Sequence, residues 1–150
     1  MNQIIIADST CLIGLERIGK LEILPQLFDS ILIPPKVAEE FGFTLSWLNV
    51  VNITDKGLVC ALTMIVDDGE AEAITLAYET KVKVILDDQQ ARKVARNMKV
   101  TFIGTIGILI QAKQCGIIQS IKPLLDDLEN NNFYLSKNLK QEALTIVNEM

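Results

Sequence analysis

The chain has 150 residues, 49% hydrophobic and 22% charged, with a net charge of −5. That balance suits one domain with a sizeable core, and argues against disorder and against coating nucleic acid by bulk positive charge. Histidine is absent and the cysteines are three, Cys11, Cys60 and Cys115, which excludes histidine bases, Ser-His-Asp and Cys-His nucleophiles, histidine-ligated zinc, a disulfide framework and a four-cysteine site.

Gln3–Ala7 is an isoleucine-rich run bounded by Asp8-Ser9, which is how a strand buried on both faces reads. Ser9 or Thr10 can cap a helix through Leu12, Leu15 and Ile18 that ends at Gly19. Leu21–Phe28 is a short helical piece that Pro25 is expected to interrupt. Ser30–Ile33 is a second strand, stopped by Pro34-Pro35, and a helix starting near Pro35 carries Val37, Glu40 and Phe41. Trp47–Ile53 is a weaker third strand and Gly57–Val66 a helix. Asp67-Asp68-Gly69 opens the helix GEAEAITLAYE, its acids serving the positive end of the dipole. Val82–Leu86 is a fourth strand running into Asp87-Asp88, followed by a helix over Gln89–Asn97. Val100–Ile103 is a fifth strand, and helices cover Thr105–Gln114 and Ile117–Glu129, with Glu129–Asn132 as a loop. Lys137–Met150 is a final amphipathic helix whose stripe is Leu139, Ala143, Ile146 and Val147.

Alternating strands and helices with short connections predict an α/β domain over 1–150 with a mostly parallel sheet. No uncharged stretch reaches the roughly 20 residues of a membrane span. MNQIIIADST has no basic leader and does not read as a signal peptide. The sparse, odd cysteines read as buried small hydrophobes in a reducing cytoplasm.

The carboxylates carry the functional signal. Asp8 follows the first strand, and Asp87 and Asp88 follow the fourth, at the carboxyl edge where open α/β sheets bind ligands. Glu40 and Glu70 lie near the starts of helices that open toward that edge. Glu70 shares its face with Ala73, Ile74 and Ala77 and is expected to point inward, whereas Glu72 is expected to face solvent. Each acid has a plainer role: Asp8 as a helix cap, Glu40 as a solvated helix residue, Asp87-Asp88 as a turn. Together they are harder to dismiss, because two carboxylates about 5 Å apart repel by roughly 3 kcal/mol at an effective dielectric of 20. No obvious buried arginine neutralises them, whereas Mg²⁺ or Mn²⁺, a hard cation that takes oxygen ligands, would. Such an ion activates water and stabilises a phosphoryl transition state.

The runs IIADSTCLIGLERIGKLEIL, IPPKVAEEF, DDGEAEAITLA, VILDDQQARKVA and FIGTIGILIQAKQCGII, in this order and spacing, resemble the PIN-domain family of metal-dependent ribonucleases, and most closely its VapC-toxin-like members with a GEAEAI helix. The resemblance implies a three-layer α/β/α fold with sheet order 3-2-1-4-5, an acid set of Asp8, Glu40, Glu70 and Asp88 or Asp87 holding one or two metal ions, and RNA products with 3′-hydroxyl and 5′-phosphate ends. Asp88 fits the family spacing better than Asp87. Thr10 departs mildly from the family's Ser/Asn, and Thr105, in GTIG, falls near a family hydroxyl position with a helix N-cap as its plainer role. The likeness also implies a toxin–antitoxin role, an antitoxin protein partner and a homodimer.

Arg92 and Arg96 are i,i+4 neighbours beside Lys93. They can hold an RNA backbone or simply form a solvated face. Two other classes compete with the metal-dependent endoribonuclease: a PIN-like protein-interaction module with weak or no catalysis, and a phosphotransfer or HAD-type domain. The last wants a second acid where Thr10 stands and a strand-end lysine that is not evident.

Overall fold

The structure is a computed structural model and describes residues 3–150. Its elements in chain order are β1 (Ile4–Ile6), α1 (Ser9–Arg17), α2 (Ile23–Leu27), β2 (Ser30–Ile33), α3 (Pro35–Phe41), β3 (Leu48–Val50), α4 (Lys56–Leu62), α5 (Asp68–Thr80), β4 (Val84–Ile85), α6 (Gln89–Asn97), β5 (Phe102–Ile103), α7 (Thr105–Gln114), α8 (Lys122–Asn130) and α9 (Lys137–Ile146). The five strands make one sheet in the order β3-β2-β1-β4-β5, and every adjacent pair is parallel. Helices flank it as a three-layer α/β/α fold.

The apolar run at the start of the chain becomes the central strand. Ile5, Ile6 and Ala7 are buried. Ile6 donates its N–H to Lys83 O at 2.9 Å and Ala7 to Leu32 O at 3.1 Å, so this strand is held from both sides. From β1 the sheet grows outward through β2 and β3. The chain then returns past β1 to lay down β4 and β5 on the other side. The order therefore reverses between β1 and β4, and a crevice opens at the carboxyl ends of strands so arranged. Asp8 and Asp87 lie just beyond those two strand ends.

Several local expectations are corrected. Pro25 does not interrupt its helix: α2 runs through it, because Pro25 falls in the first turn, where the missing N–H has no intrahelical acceptor. α8 starts at Lys122, well after Ile117, since Gly116 turns the chain at φ +78° and Pro123 occupies the first turn. Cys11 is buried, but Cys60 and Cys115 are exposed.

α9 ends at Ile146, and its inward residues are Ala143, Leu144 and, just past the helix, Val147. Leu139 and Ile146, two members of the predicted stripe, are 40% and 59% exposed. The buried face is that of Ala143, Leu144 and Val147, and the ion pairs from Lys140 Nζ to Asp126 and Glu129 of α8, each at 2.6 Å, are compatible with it. Among the described residues no helix is long and apolar enough to cross a membrane.

Candidate active site

Asp8 is the deepest acid, 2% exposed, at the N-cap of α1. Its Oδ1 accepts from Cys11 N at 3.0 Å, so the helix-cap role is real. Its other oxygen accepts no hydrogen bond from the described residues. Burial pushes the carboxyl well above the ordinary carboxylate range, and the charges of Asp87, Glu70 and Asp67 push it further, against the Cys11 N–H. A buried acid with this surplus of negative neighbours is stable only when protonated or beside a cation.

Asp87, after β4, faces the same space. Thr105 donates its N–H to Oδ1 at 2.8 Å and its hydroxyl to Oδ2 at 2.6 Å. Burial raises the Asp87 carboxyl, while the two Thr105 bonds and Arg92 oppose the rise. Arg92 is the partly buried arginine that sequence reasoning did not find. Its Nη2 stands 3.9 Å from Asp87 Oδ1, its Nε donates to Leu86 O at 2.8 Å, and its guanidinium lies over Phe102, 5.5 Å from the ring centre. Gly104 makes room for it, since a Cβ there would collide with Nη2.

Glu70 and Glu40 complete the edge. Glu70 lies in the first turn of α5 in a reciprocal capping box. Its N–H donates to Asp67 Oδ1 at 2.8 Å, and Asp67 N donates to Glu70 Oε1 at 3.3 Å. Burial raises the Glu70 carboxyl to about 7, helped by Asp67, Asp88 and Glu40 and opposed by the Asp67 N–H. Glu40, from α3, accepts from Ser9 Oγ at 2.9 Å and presses against Gly69, where a Cβ would meet its carboxylate. Glu40 thus ties the start of α1 to the start of α5.

The remaining candidates separate. Asp88 is exposed and caps α6, its Oδ2 accepting from Ala91 N at 2.9 Å, so of the adjacent pair Asp87 is the acid turned toward Asp8. Thr105 is not the N-cap of α7, a place Gly104 takes; its hydroxyl goes to Asp87. Thr10 is exposed and borders the cleft. Arg96 shares the Phe102 ring with Arg92, its Cζ 5.4 Å from the centre, and Lys93 is exposed. Glu72 does not point into open solvent. It accepts from Lys36 N at 2.8 Å and so caps the helix that carries Glu40. Asp67 serves more than the helix dipole, since it also lines the cleft and acts on Asp8; the Asp-x-x-Glu spacing of a capping box is its signal in the sequence.

Beside these acids lies a cleft of ≈ 810 Å³, with Asp67, Glu70, Asp87 and Asp88 at one end. The donor set is carboxylate and hydroxyl oxygen, which fits Mg²⁺ or Mn²⁺ and suits neither soft nor imidazole-seeking metals. The three carboxyls held above their usual range are what such a cation would relieve. Among the described residues no three acid or cysteine side chains close into a preformed cage.

A family model described as a PIN domain matches residues 4–149. No curated protein matches the chain.

Proposed function

The chain belongs to the PIN-domain family, and from that membership we propose that it is a Mg²⁺- or Mn²⁺-dependent endoribonuclease. PIN domains are generally metal-dependent nucleases. The observation that carries the reading for this chain is the meeting of Asp8, buried to 2% exposure, with Asp87 and Glu70 at the reversal of strand order, all three held toward protonation by burial and Asp8 also by the charges of the other two.

In this reading Asp8, Glu40, Glu70 and Asp87 hold one or two ions, with Asp88 at the outer margin. The bound ion supplies an activated water at neutral pH and stabilises charge on the phosphoryl oxygens. Thr105 orients Asp87 and favours its charged form through two hydrogen bonds. Arg92 borders the cleft with one hydrogen bond, from Nε, and an ion pair from Nη2 to Asp87, and in this reading its guanidinium also meets substrate phosphate oxygens. Arg96 and Lys93 extend the positive side along α6.

Purified protein given labelled single-stranded RNA and Mn²⁺ should yield fragments with 3′-hydroxyl and 5′-phosphate ends, and EDTA should stop the reaction. Intact RNA after prolonged incubation with Mn²⁺ contradicts the reading.

The motif order supports a narrower role as a VapC-like toxin held by an antitoxin protein, acting in the cytoplasm as a homodimer. A small reading frame overlapping upstream supports that role, and co-purification with its product tests it. A second reading, a PIN-like interaction module with little catalysis, is favoured by the absence of a preformed acid cage among the described residues. Mn²⁺ binding without RNA cleavage would select it.

A further inference from the structure

The cleft has a second end that carries no acid. Its floor is one face of α1, where Thr10, Ile13, Gly14 and Arg17 follow at i, i+3, i+4, i+7 spacing. Thr10 stands at the acid end, next to Ser9, which holds Glu40. Gly14 lies one turn farther, about 6 Å along the helix axis. Phe133 packs over Gly14, so closely that a Cβ there would stand 3.0 and 3.2 Å from its ring. From α7, Ile106 and Ile110 border the same space, one turn apart. Asn132 adds a neutral amide, and Tyr134, 87% exposed, stands at the mouth.

We propose that this end is a nucleobase subsite: one unpaired base of single-stranded RNA lies against the Phe133 ring and the isoleucines, while its phosphate lies at the end marked by Thr10 and Asp87. The inference rests on the ribonuclease reading. One helical turn from Thr10 to Gly14 is comparable with the reach across a ribose from phosphate to base. The walls offer an aromatic ring, aliphatic side chains and a neutral amide, which suit the two faces and polar edge of a base. The same cleft runs unbroken to the acids, so one nucleotide can occupy both ends. A base stacked and paired within a duplex cannot enter, and the subsite thereby selects single strands.

The test uses the full chain and fluorescent single-stranded RNA carrying one abasic nucleotide, stepped along successive positions. Binding is read by anisotropy with Ca²⁺, and cleavage separately with Mn²⁺. Removing the base at one position should weaken binding about tenfold or more, the scale of one base–aromatic stack, with little effect elsewhere. Phe133→Ala, checked for folding by thermal melting, should weaken intact RNA by a similar factor and leave the abasic RNA unchanged. Tyr134→Ala, at the exposed mouth, should give a smaller loss, and serves if Phe133→Ala does not fold. Equal affinity at every abasic position, duplex bound as tightly as single strand, or an undiminished abasic penalty in folded Phe133→Ala each overturns the subsite. RNA cleaved with a flat abasic profile overturns the subsite and leaves the ribonuclease. An abasic penalty in binding without any Mn²⁺-dependent cleavage keeps the subsite and overturns the ribonuclease. No binding and no cleavage overturns both, as does a cleft that RNA leaves free for a protein partner.

Discussion

Thr105 donates twice to one carboxylate: its N–H reaches Asp87 Oδ1 at 2.8 Å and its hydroxyl reaches Oδ2 at 2.6 Å. Both bonds favour the ionised acid in a place where burial disfavours it. Thr105→Val keeps the shape and removes one donor. It should cost about 1–2 kcal/mol of stability and weaken Mn²⁺ affinity about tenfold, the scale of lost support to a metal ligand. Thr105→Ser should recover most of both. Calorimetric Mn²⁺ titration checks this, and unchanged affinity in the valine variant counts against Asp87 as a ligand.

Glu70 and Glu72 lie two residues apart on α5 and do different work. Glu70→Gln should abolish RNA cleavage. Glu72→Gln should leave it near wild type, because the amide oxygen can still accept from Lys36 N. Glu72→Ala removes that acceptor and should cost about 1 kcal/mol of stability, as lost helix caps do. Both glutamine variants delete one charge, so equal losses in single-turnover cleavage would mean that bulk charge, and not the position of Glu70, matters.

The raised acids make metal-free stability depend on pH. Glu70 titrates near 4.5 when unperturbed and at about 7 in the fold. Between those values the folded chain holds a proton that the unfolded chain has released. Raising the pH across that window therefore lowers stability. Asp8 and Asp87 are also shifted upward and contribute with the same sign. In EDTA the melting temperature should fall as pH rises from 5 to 8, and Glu70→Gln should flatten part of that slope. Mn²⁺ should reverse the trend, because the cation replaces the proton. A melting temperature that rises with pH in EDTA would contradict the clustering of these acids.

Much of the frame was legible because its signals are local. The isoleucine run of β1, Pro35 at the first position of α3 and the spans of α6 and α7 follow from hydropathy, proline geometry and capping. Strand ends and helix starts place Asp8, Glu40, Glu70 and the Asp87-Asp88 pair at one edge, without choosing within the pair. What escaped depends on contacts distant in sequence. Glu72 reads as solvent-facing until Lys36 N is placed against it. Arg92 reads as a surface residue until Phe102, Gly104 and Asp87 surround it. Asp88 fits the family spacing better than Asp87, and only the fold turns Asp87 inward and leaves Asp88 as a cap. Ile146 belongs to the apolar stripe by spacing, but the face that packs on the domain is that of Ala143, Leu144 and Val147, which leaves Ile146 exposed.

The C-terminal segment is held by Glu149 as well as by its apolar face. Its carboxylate accepts from Lys113 Nζ at 2.7 Å, Ser120 Oγ at 2.7 Å, Ile121 N at 2.8 Å and Lys122 N at 3.0 Å. Burial alone would raise the Glu149 carboxyl, yet these donors outweigh it and hold it at about 2. Its contribution is present above the unperturbed 4.5 and is lost as pH falls toward 2. Glu149→Ala should cost about 2 kcal/mol at neutral pH, the scale of hydrogen bonds to a charged group, and little at pH 2. A chain ending at Ser136 should lose more stability or change its oligomeric state. Matching thermal melting and light scattering for the truncated and full chains would show that the segment is not structurally required.

Asp8→Asn tests the central claim most directly. The asparagine oxygen can still accept from Cys11 N, so the α1 cap survives, while the charge at the buried centre of the site is gone. Under single turnover with millimolar Mn²⁺, wild type should cleave single-stranded RNA and EDTA should stop it. Asp8→Asn, folded by circular dichroism, should be at least about a hundredfold slower, as when a principal catalytic electrostatic contact is lost, and should show little Mn²⁺-induced rise in melting temperature. Cleavage that persists in EDTA, or that Asp8→Asn leaves at the wild-type rate, would contradict a metal-dependent ribonuclease built on these acids.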